Sequence, residues 1–461
     1  MLKSFVSYAT LQTPPTVRRN ASLNSLARTA LQSPPTSAYV HLPFCRKRCH
    51  YCDFPILALG TRAATEDSGD DDPRITDYVH LICREIQATR DPDPDDPPLQ
   101  TVYFGGGTPS LVPPKLVLSI VDALRGKFGV RSDVEMSIEM DPGTFDARKM
   151  RELVGVVGVN RVSLGVQAFQ DEILRGCGRG HGLREVYEAL EIVRGCGGLG
   201  NWSLDLISSL PYQTLEMWEE SLRLAVEALP THVSVYDLQV EQGTKFGALY
   251  TPGEFPLPSD AQSAEFYTMA SKTLTGAGYE HYEISSYCKE GYQSKHNQTY
   301  WENKPFYGFG LGAASYIGGM RFSRPRKMKE YMGFVQDLEN GLLLLDHNHK
   351  ESIDYKDVAM DVVMLSLRTA RGLDVKSYKE SFGDTLVIFL CEKFKPYVES
   401  GHVIALDEER RTLSVDEFSS LLSNAEKLDK VEGVAFIRLS DPEGFLLSNE
   451  LISMAFEVVS P

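Results

Sequence analysis

The chain lacks any apolar run long enough to cross a membrane, and it lacks an excess of basic residues. No stretch approaches the roughly 18 consecutive apolar residues that a membrane helix requires. Lys and Arg number 47 against 63 Asp and Glu, which gives a formal net charge of −16. Because nucleic-acid phosphates are bound by clustered Lys and Arg, this balance argues against such a partner. The sequence therefore predicts no integral membrane segment and no nucleic-acid binding.

Acidic residues are absent from the first 40 positions of the chain. This head contains Lys3, Arg18, Arg19 and Arg28 together with many Ser and Thr residues. An Arg- and Ser-containing segment without acids is typical of an organelle transit peptide, and a disordered tail is the alternative. We expect residues 1–37 to be such a head. The Ser and Thr content favours a chloroplast slightly over a mitochondrion.

Short apolar, β-branched runs recur after residue 38 and are separated by stretches of helical length. The runs are Ala38–Leu42, Thr101–Phe104, Met136–Met140, Arg161–Val166, Ser203–Ile207 and Val233–Leu238. Strand, helix and strand in alternation predict parallel pairing with right-handed crossovers. The expected fold class is α/β, with a partial (β/α)6 TIM-like barrel. In such barrels the functional residues lie where strands end and loops begin.

Three cysteines follow the first predicted strand directly. They are Cys45, Cys49 and Cys52, in a C-x3-C-x2-C pattern that is improbable by chance in a chain with 8 cysteines. Three thiolates from one loop suit an iron–sulfur cluster, or zinc with His50 or His41 as a fourth ligand. The basic residues between the first two cysteines favour thiolates. A disulfide framework is not expected, because the loop has an odd number of cysteines, three, and the other five are scattered along the chain.

These residues resemble the radical S-adenosylmethionine (SAM) superfamily. Residues 105–109, Gly-Gly-Gly-Thr-Pro, end the second predicted strand and resemble the glycine motif of that superfamily. The resemblance is closer to its coproporphyrinogen oxidase-like branch, HemN/HemW, and covers about residues 38–461. It implies a [4Fe–4S] cluster on Cys45, Cys49 and Cys52, with SAM on the iron that has no protein ligand. It also implies a small C-terminal helical domain that is similar to a winged helix.

The same resemblance implies a set of SAM-contacting residues, most of them at predicted strand ends. They are Tyr39, Tyr51, Gly106, Gly107, Thr108, Glu139, Gln167, Arg179 and Asp205. The chemistry of the set suits SAM. Carboxylates accept hydrogen bonds from ribose hydroxyls or an ammonium, and an arginine pairs with a carboxylate.

Two features separate the oxidases of this branch from its haem chaperones. The oxidases carry a fourth Cys two residues after the third, where this chain has Phe54. The sequence His296-Asn297-Gln-Thr-Tyr300-Trp301 resembles a signature that the chaperones carry and implies haem binding, with His296 as a candidate axial ligand. A polar turn before two aromatic core residues is the alternative interpretation of this segment.

The resemblance therefore implies a chaperone that binds haem and passes it to an acceptor protein, with a flavodoxin or ferredoxin as reductant. An oxygen-independent coproporphyrinogen III oxidase is the alternative enzyme, although the missing fourth Cys counts against it. A zinc-stabilised binding module without redox chemistry is a third hypothesis.

The expected organisation has four parts. Residues 1–37 are the head, 38–250 the barrel, 251–345 a family-specific extension and 346–461 the C-terminal domain. Acidic stretches at 66–72 and 91–98 are expected to be exposed loops. Residues 307–315 alternate glycine with larger side chains, which allows close approach either to a flat ligand or to a strand. Strands are expected at 402–405 and 412–415, and 416–432 is expected to be an added surface segment.

Overall fold

The structure is a computed structural model that describes residues 33–60, 72–343, 355–428 and 432–459. Most of the predicted head and of the first acidic loop lie outside these ranges. The second acidic loop, at 91–98, is described as exposed coil and turn, as predicted. Among the described helices, none combines the length and the apolar character needed to span a bilayer.

A nine-stranded sheet forms the centre of the fold. Its strands, in chain order, are β1 (Ser37–Leu42), β2 (Leu99–Gly106), β3 (Val130–Met140), β4 (Arg161–Gln167), β5 (Asn201–Ser208), β6 (His232–Asp237), β7 (Glu280–Glu283), β8 (Ser286–Cys288) and β9 (Tyr307–Phe309). Strands β1 to β6 lie side by side in chain order, and every pair among them is parallel. The predicted partial (β/α)6 barrel is therefore confirmed.

Helices cover the outer face of these parallel strands. They span Pro73–Ala88, Pro114–Phe128, Ala147–Glu152, Asp171–Gly176, Leu183–Gly195 and Leu215–Glu227. A one-turn π-helix, Leu153–Val157, and a 3₁₀ turn, Pro109–Leu111, add to them. The helix at Pro73 begins where the Asp72 carboxylate accepts a hydrogen bond from the N–H of Arg74, with proline at its first position.

Three further strands extend the sheet beyond the barrel. Strand β9 is parallel to β1 at one edge, while β8 and β7 add antiparallel strands beyond β6 at the other. A Cβ on Gly308 of β9 would lie 1.9 Å from the carbonyl oxygen of Ala314, so only glycine fits this backbone contact. The alternation of glycine with larger residues at 307–315 therefore serves strand packing at this position.

A short helix, Lys295–Trp301, closes the barrel at the amino ends of its strands. The carboxylate of Glu135 on β3 accepts hydrogen bonds from the backbone N–H groups of Lys295 (3.1 Å) and His296 (3.0 Å). The hydroxyls of Ser37 on β1 and Thr299 on the helix lie 2.9 Å apart. The opposite end, where the strands finish, carries the cysteine loop. Further helices after the barrel span Lys245–Leu249, Asp260–Gly276 and Met328–Glu339, and a hairpin pairs Ala314–Ile317 with Met320–Ser323.

The C-terminal residues form a second hydrophobic core around a three-stranded antiparallel sheet. Its strands are Leu373–Asp374, Val403–Leu406 and Phe436–Leu439. Its helices are Tyr355–Leu367, Val375–Phe382, Asp384–Glu399, Val415–Leu428, Glu443–Leu446 and Ser448–Val459. The predicted combination of barrel and small helical domain is confirmed.

Two local predictions in this domain were wrong. Residues 412–415 do not form a strand, since Thr412 makes only an isolated bridge to Leu406. The segment after residue 415 is a helix rather than an added surface segment. Its Phe418 and Leu422 are buried in the second core because they are four residues apart and share one helix face.

Candidate functional site

The cysteine loop follows β1 and is closed at its base by a short parallel strand pair. Phe44–Cys45 pairs with Leu57–Ala58, and the N–H of Leu59 donates to the carbonyl of Cys45 at 2.8 Å. Within the loop, the N–H of Cys52 donates to the carbonyl of Cys49 at 3.2 Å. Arg48 donates to the carbonyl oxygens of Cys52 (3.1 Å) and Phe54 (2.9 Å). The loop therefore carries its three cysteines on a backbone with many internal hydrogen bonds.

The two histidines near the cysteines have both ring nitrogens in hydrogen bonds. His41 pairs with the hydroxyl of Tyr39 at 3.1 Å and with the carbonyl of Pro55 at 3.0 Å. His50 pairs with the carbonyl of Gly176 at 2.8 Å and with the ammonium of Lys245 at 3.1 Å. These contacts give both imidazoles a structural role in holding the loop. The zinc hypothesis requires one of them to break such contacts.

The thiols of the loop have polar groups directed at them. The hydroxyl of Thr108 donates to the Sγ of Cys45 at 3.5 Å, and the guanidinium of Arg179 donates to the Sγ of Cys49 at 3.4 Å. Burial raises the pKa of Cys45 to about 12, against the hydrogen bond from Thr108. All three cysteines are free of disulfides. A buried cation at one thiol and a hydroxyl at another suit thiolate ligands of a cluster.

Among the described residues, no three His, Cys, Asp or Glu side chains are grouped closely enough to bind one metal ion. The three cysteines lie near enough that Cys49 and Cys52 both raise the pKa of Cys45, after burial. The ligands of a [4Fe–4S] cluster bind different irons and do not converge on one point. The donor set therefore fits a cluster.

The glycine segment at the end of β2 contacts both the cysteine loop and Glu139. Gly106 has a φ of +115°, and a Cβ there would lie 2.5 Å from the ring of His41, so a side chain is excluded twice. Its N–H donates to the Glu139 carboxylate at 3.0 Å. The N–H groups of Gly107 and Thr108 donate to the carbonyls of Leu42 and Phe44. The segment therefore lies directly beside the loop.

Glu139 lies at the end of β3 inside the barrel. The hydroxyl of Tyr103 donates to it at 3.1 Å, and the ring of Tyr103 stacks on that of Tyr39 with centroids 6.2 Å apart. Burial raises the pKa of Glu139 to about 7, with the carboxylate of Asp205 adding to the shift. Asp205 itself accepts hydrogen bonds from Ser163 (2.7 Å) and Ser203 (2.9 Å). Three predicted SAM residues, Tyr39, Glu139 and Asp205, are thus brought together.

Arg179 links the cysteine loop to the barrel. Besides Cys49, its guanidinium donates to the hydroxyl of Tyr51 at 3.1 Å and to the carbonyl of Gly165 at 3.1 Å. It also forms an ion pair with Asp141, the residue that follows the end of β3. Arg179 donates to the thiol of Cys49, whereas Arg46 donates to the carbonyl of Gly143.

Asp141 and His181 are site residues that the sequence analysis missed. The Nδ1 of His181 lies 3.2 Å from the Asp141 carboxylate, which therefore contacts both His181 and Arg179. A signal for Asp141 was present, because residues 139 and 141 share one face of an extended strand. The carboxylate positions Arg179 beside Cys49 and Tyr51.

Gln167 ends β4 with a φ of +71°, a left-handed conformation that is unusual for a residue with a side chain. Its Oε1 is buried and has no hydrogen-bond partner among the described residues. A buried acceptor without a donor is costly, and a strained conformation often marks a binding site. Gln167 therefore fits a position that receives a donor from a ligand.

His296 lies at the opposite end of the barrel from the cysteine loop. It is 1% exposed, with Nδ1 2.7 Å from the hydroxyl of Thr101 and Nε2 2.7 Å from the hydroxyl of Tyr300. Its ring stacks on Tyr103 with centroids 5.0 Å apart. Burial, with the charge of Arg161 adding, lowers the pKa of His296 to about 3. The imidazole is therefore neutral, and both of its nitrogens have partners.

One end of this barrel of parallel strands carries three thiols, a glycine segment and buried carboxylates. This combination defines the class of protein. The family model of the radical SAM superfamily matches residues 39–225. The solved structure of the coproporphyrinogen III oxidase HemN from Escherichia coli covers 98% of this chain and 98% of its own, with a TM-score of 0.68 and 20% identity. At that identity, the likeness supports the fold alone.

Sequence relatives narrow the class further. The heme chaperone HemW of Synechocystis sp. is 40% identical over 424 residues, 92% of this chain and 96% of that protein. The mouse protein named radical S-adenosyl methionine domain-containing protein 1, mitochondrial, is 32% identical over 276 residues, 60% of this chain and 59% of that protein. The chain belongs to the HemW family of the radical SAM superfamily.

Proposed function

We propose that this protein is a haem chaperone that binds a [4Fe–4S] cluster, SAM and haem and transfers haem to an acceptor protein. The observation that carries the proposal is the similarity over 92% of the chain to a protein named heme chaperone HemW. Phe54 supports it, because the oxidases that the chain resembles carry a fourth Cys at that position. Likeness to HemN supports the fold alone, so an oxidase activity is not proposed.

The cysteine loop is the proposed cluster site, with Cys45, Cys49 and Cys52 as ligands. When bound there, a [4Fe–4S] cluster would supply an electron to SAM and would leave one iron open to it. The proposed SAM residues are those at the strand ends. In this proposal the buried Glu139 carboxylate would accept from the SAM ammonium and Asp205 from ribose hydroxyls, and the orphaned Oε1 of Gln167 would receive a further donor.

The titration of Glu139 predicts a pH-dependent affinity for SAM. Its pKa is raised to about 7, chiefly by burial, so the carboxylate is mostly protonated at pH 6 and mostly ionised at pH 7.5. Only the ionised form accepts from an ammonium, and we expect the Kd for SAM to fall about fivefold over this range. Equilibrium binding to anaerobic, cluster-loaded protein measures it.

Glu139→Gln is the control for this measurement. It keeps a side chain of similar size and cannot ionise, so its weaker SAM binding should vary with pH only as the ligand itself titrates. An equal pH dependence in both proteins would remove Glu139 as the responsible group.

His296 is the proposed axial ligand of haem. Its present contacts indicate which interactions have to break before haem can bind there. Its two ring nitrogens are hydrogen-bonded to the hydroxyls of Thr101 and Tyr300, so binding iron would break one of these hydrogen bonds. The ring would also have to leave its stack on Tyr103. Haem loading at this residue therefore needs a displacement of the helix Lys295–Trp301.

A haem titration followed by Soret absorbance tests the proposal. We expect His296→Gln to weaken binding at least about tenfold and to shift the Soret band, because it removes the imidazole. Tyr300→Phe is the matched variant. It releases Nε2 of His296 and should bind haem at least as tightly as the wild type.

Each outcome of this titration is informative. An unchanged Soret band and affinity in His296→Gln would assign the iron to another ligand and keep the chaperone proposal. Absence of haem binding by the wild-type, cluster-loaded protein would contradict the chaperone proposal itself. Far-UV circular dichroism and iron content establish that each variant is folded and loaded.

An organelle is the proposed compartment, and a small electron-transfer protein such as a flavodoxin or ferredoxin is the proposed reductant. The acid-free head supports import, and a mouse relative is named mitochondrial. The Ser and Thr content of the head keeps the chloroplast as the slightly favoured proposal. Lys47 and Arg48 are exposed in the cysteine loop, and Lys245 is exposed beside it. Such a basic rim attracts an acidic redox partner.

A further inference from the structure

Arg161 is a buried arginine that has no carboxylate in direct contact among the described residues. It begins β4 and is 2% exposed, and its Nε is buried without an acceptor. In the described part of the chain, no hydrogen bond or ion pair of its guanidinium is found. Arg324 is equally buried, yet it donates to the carboxylate of Glu85 and to the hydroxyl of Ser315.

Burial raises the pKa of Asp205, and the charge of Arg161 reaches this carboxylate and opposes the shift. Asp205 nevertheless accepts its hydrogen bonds from Ser163 and Ser203 and makes none to the guanidinium. Arg161 therefore lacks an anionic partner in direct contact, and a buried charge in that position is costly.

Ser137 on β3 is the direct neighbour of Arg161 across the sheet. It is fully buried, and its Oγ also has no hydrogen-bond partner. On the same strand, Glu135 and Glu139 flank it, but each already accepts two hydrogen bonds. Two adjacent unsatisfied donors therefore lie side by side, and the nearby carboxylates are engaged elsewhere.

Arg161 shares one face of the sheet with Ser137, Glu139 and Ser163, since these residues are paired across β3 and β4 or lie two positions apart. Its charge contributes, after burial, to the pKa shifts of residues on five surrounding elements. These are Tyr103 on β2, Asp205 on β5, His232 on β6, Tyr282 on β7 and His296 on the helix Lys295–Trp301. The position is below the level of Glu139 and Asp205, since Arg161 pairs with Ser137 and Glu139 pairs with Ser163.

We propose that the barrel lumen beneath the proposed SAM residues binds a carboxylate, held by the guanidinium of Arg161 and the hydroxyl of Ser137. A guanidinium presents a planar fork that matches a carboxylate bidentately, and a serine hydroxyl adds a third donor. The helix Lys295–Trp301 closes the amino end of the barrel, so a small free carboxylate enters from the end that carries the cysteine loop. A haem propionate reaches Arg161 from the amino end once this helix is displaced, as the proposed haem loading requires.

Two sources could supply this carboxylate. One is a small free carboxylate in the lumen. The other is a propionate side chain of haem or a porphyrin, and this source rests on the proposed function. The chemistry at Arg161 is the same in both cases, and the experiment separates them.

The test uses the anaerobic, cluster-loaded full chain with ¹³C-formate as the free probe, followed by NMR titration. We expect the wild type to bind formate and Arg161→Gln to bind it about tenfold more weakly, because the charged donor is lost. Ser137→Ala is a smaller change that keeps the fold and should weaken binding about threefold. Arg223→Gln is the matched control, since Arg223 is an exposed arginine on the helix Leu215–Glu227.

A second arm compares haem with haem dimethyl ester, in which both carboxylates are blocked. The propionate is the source if the wild type binds haem more tightly than the ester and if Arg161→Gln and Ser137→Ala both lose this preference. Equal binding of the two, with formate binding dependent on Arg161, identifies a free carboxylate. The proposed carboxylate site is contradicted if Arg161→Gln and Ser137→Ala change neither the affinity for formate nor the ratio of the affinities for haem and its dimethyl ester. A wild type that binds formate but no haem would contradict the chaperone function and leave this site standing.

Discussion

Replacing Cys49 with Ser is expected to lower the iron content of anaerobically reconstituted protein from about four atoms per chain to less than one. Cys49 lies between the other two cysteines of the loop, and its Sγ accepts a hydrogen bond from the guanidinium of Arg179 at 3.4 Å. A hydroxyl at this position is a poor ligand for iron in a sulfide cluster. Iron analysis, together with the absorption of the cluster in visible light, measures the effect.

Cys83→Ser provides the matched control. Cys83 lies on the helix Pro73–Ala88, and its Sγ donates to the carbonyl of Ser119 at 3.7 Å. This variant should keep the full iron content, because the hydrogen bond of Cys83 goes to Ser119 and not to a residue of the cysteine loop. Full iron in Cys49→Ser, or zinc in place of iron in the wild type, would contradict the cluster assignment.

The barrel was predictable because each of its parallel strands carries a continuous apolar or β-branched run. The limits of some strands were not predictable. Strand β3 begins at Val130 rather than at Met136, since Arg131, Ser132 and Asp133 are exposed and give no apolar pattern. Strand β9 spans only three residues, and its pairing with β1 depends on a contact between segments far apart in the chain.

The site was predictable where a residue belongs to a motif at a strand end. Glu139 and Asp205 lie in the later parts of β3 and β5, and Arg179 follows β4, so all three are at the end of the barrel that carries the cysteine loop. The surroundings of His296 were not predictable, because its partners Thr101 and Tyr103 belong to a strand almost 200 residues earlier in the chain. The lack of a carboxylate in direct contact with Arg161 among the described residues is likewise a property of the folded barrel, which no sequence motif contains.

Arg324→Met is expected to destabilise the protein by about 3–5 kcal/mol, because it leaves the fully buried carboxylate of Glu85 without its counter-charge. Glu85 also accepts hydrogen bonds from the N–H of Gly310 (2.9 Å) and the hydroxyl of Tyr331 (2.6 Å). Two turns earlier on the same helix, the hydroxyl of Tyr78 donates to the carbonyl of His41 at 2.9 Å. Loss of the ion pair should therefore loosen β1 next to the cysteine loop as well as the helix.

Arg84→Met is the control for this prediction, because it removes a surface ion pair from the same helix. Arg84 pairs with Glu339 at 2.6 Å, with side chains 50% and 31% exposed, so its loss should cost less than about 1 kcal/mol. Urea denaturation of both variants gives the two free energies of unfolding, and the rate of anaerobic cluster reconstitution gives the effect on the loop. If the two variants lose the same free energy of unfolding relative to the wild type, the buried pair adds nothing to stability beyond what the surface pair adds. Among the contacts described, Arg324 touches neither the cysteines nor His41. A large loss of unfolding free energy in Arg324→Met, together with slowed cluster reconstitution, would therefore establish that this distant ion pair supports the cysteine loop through β1.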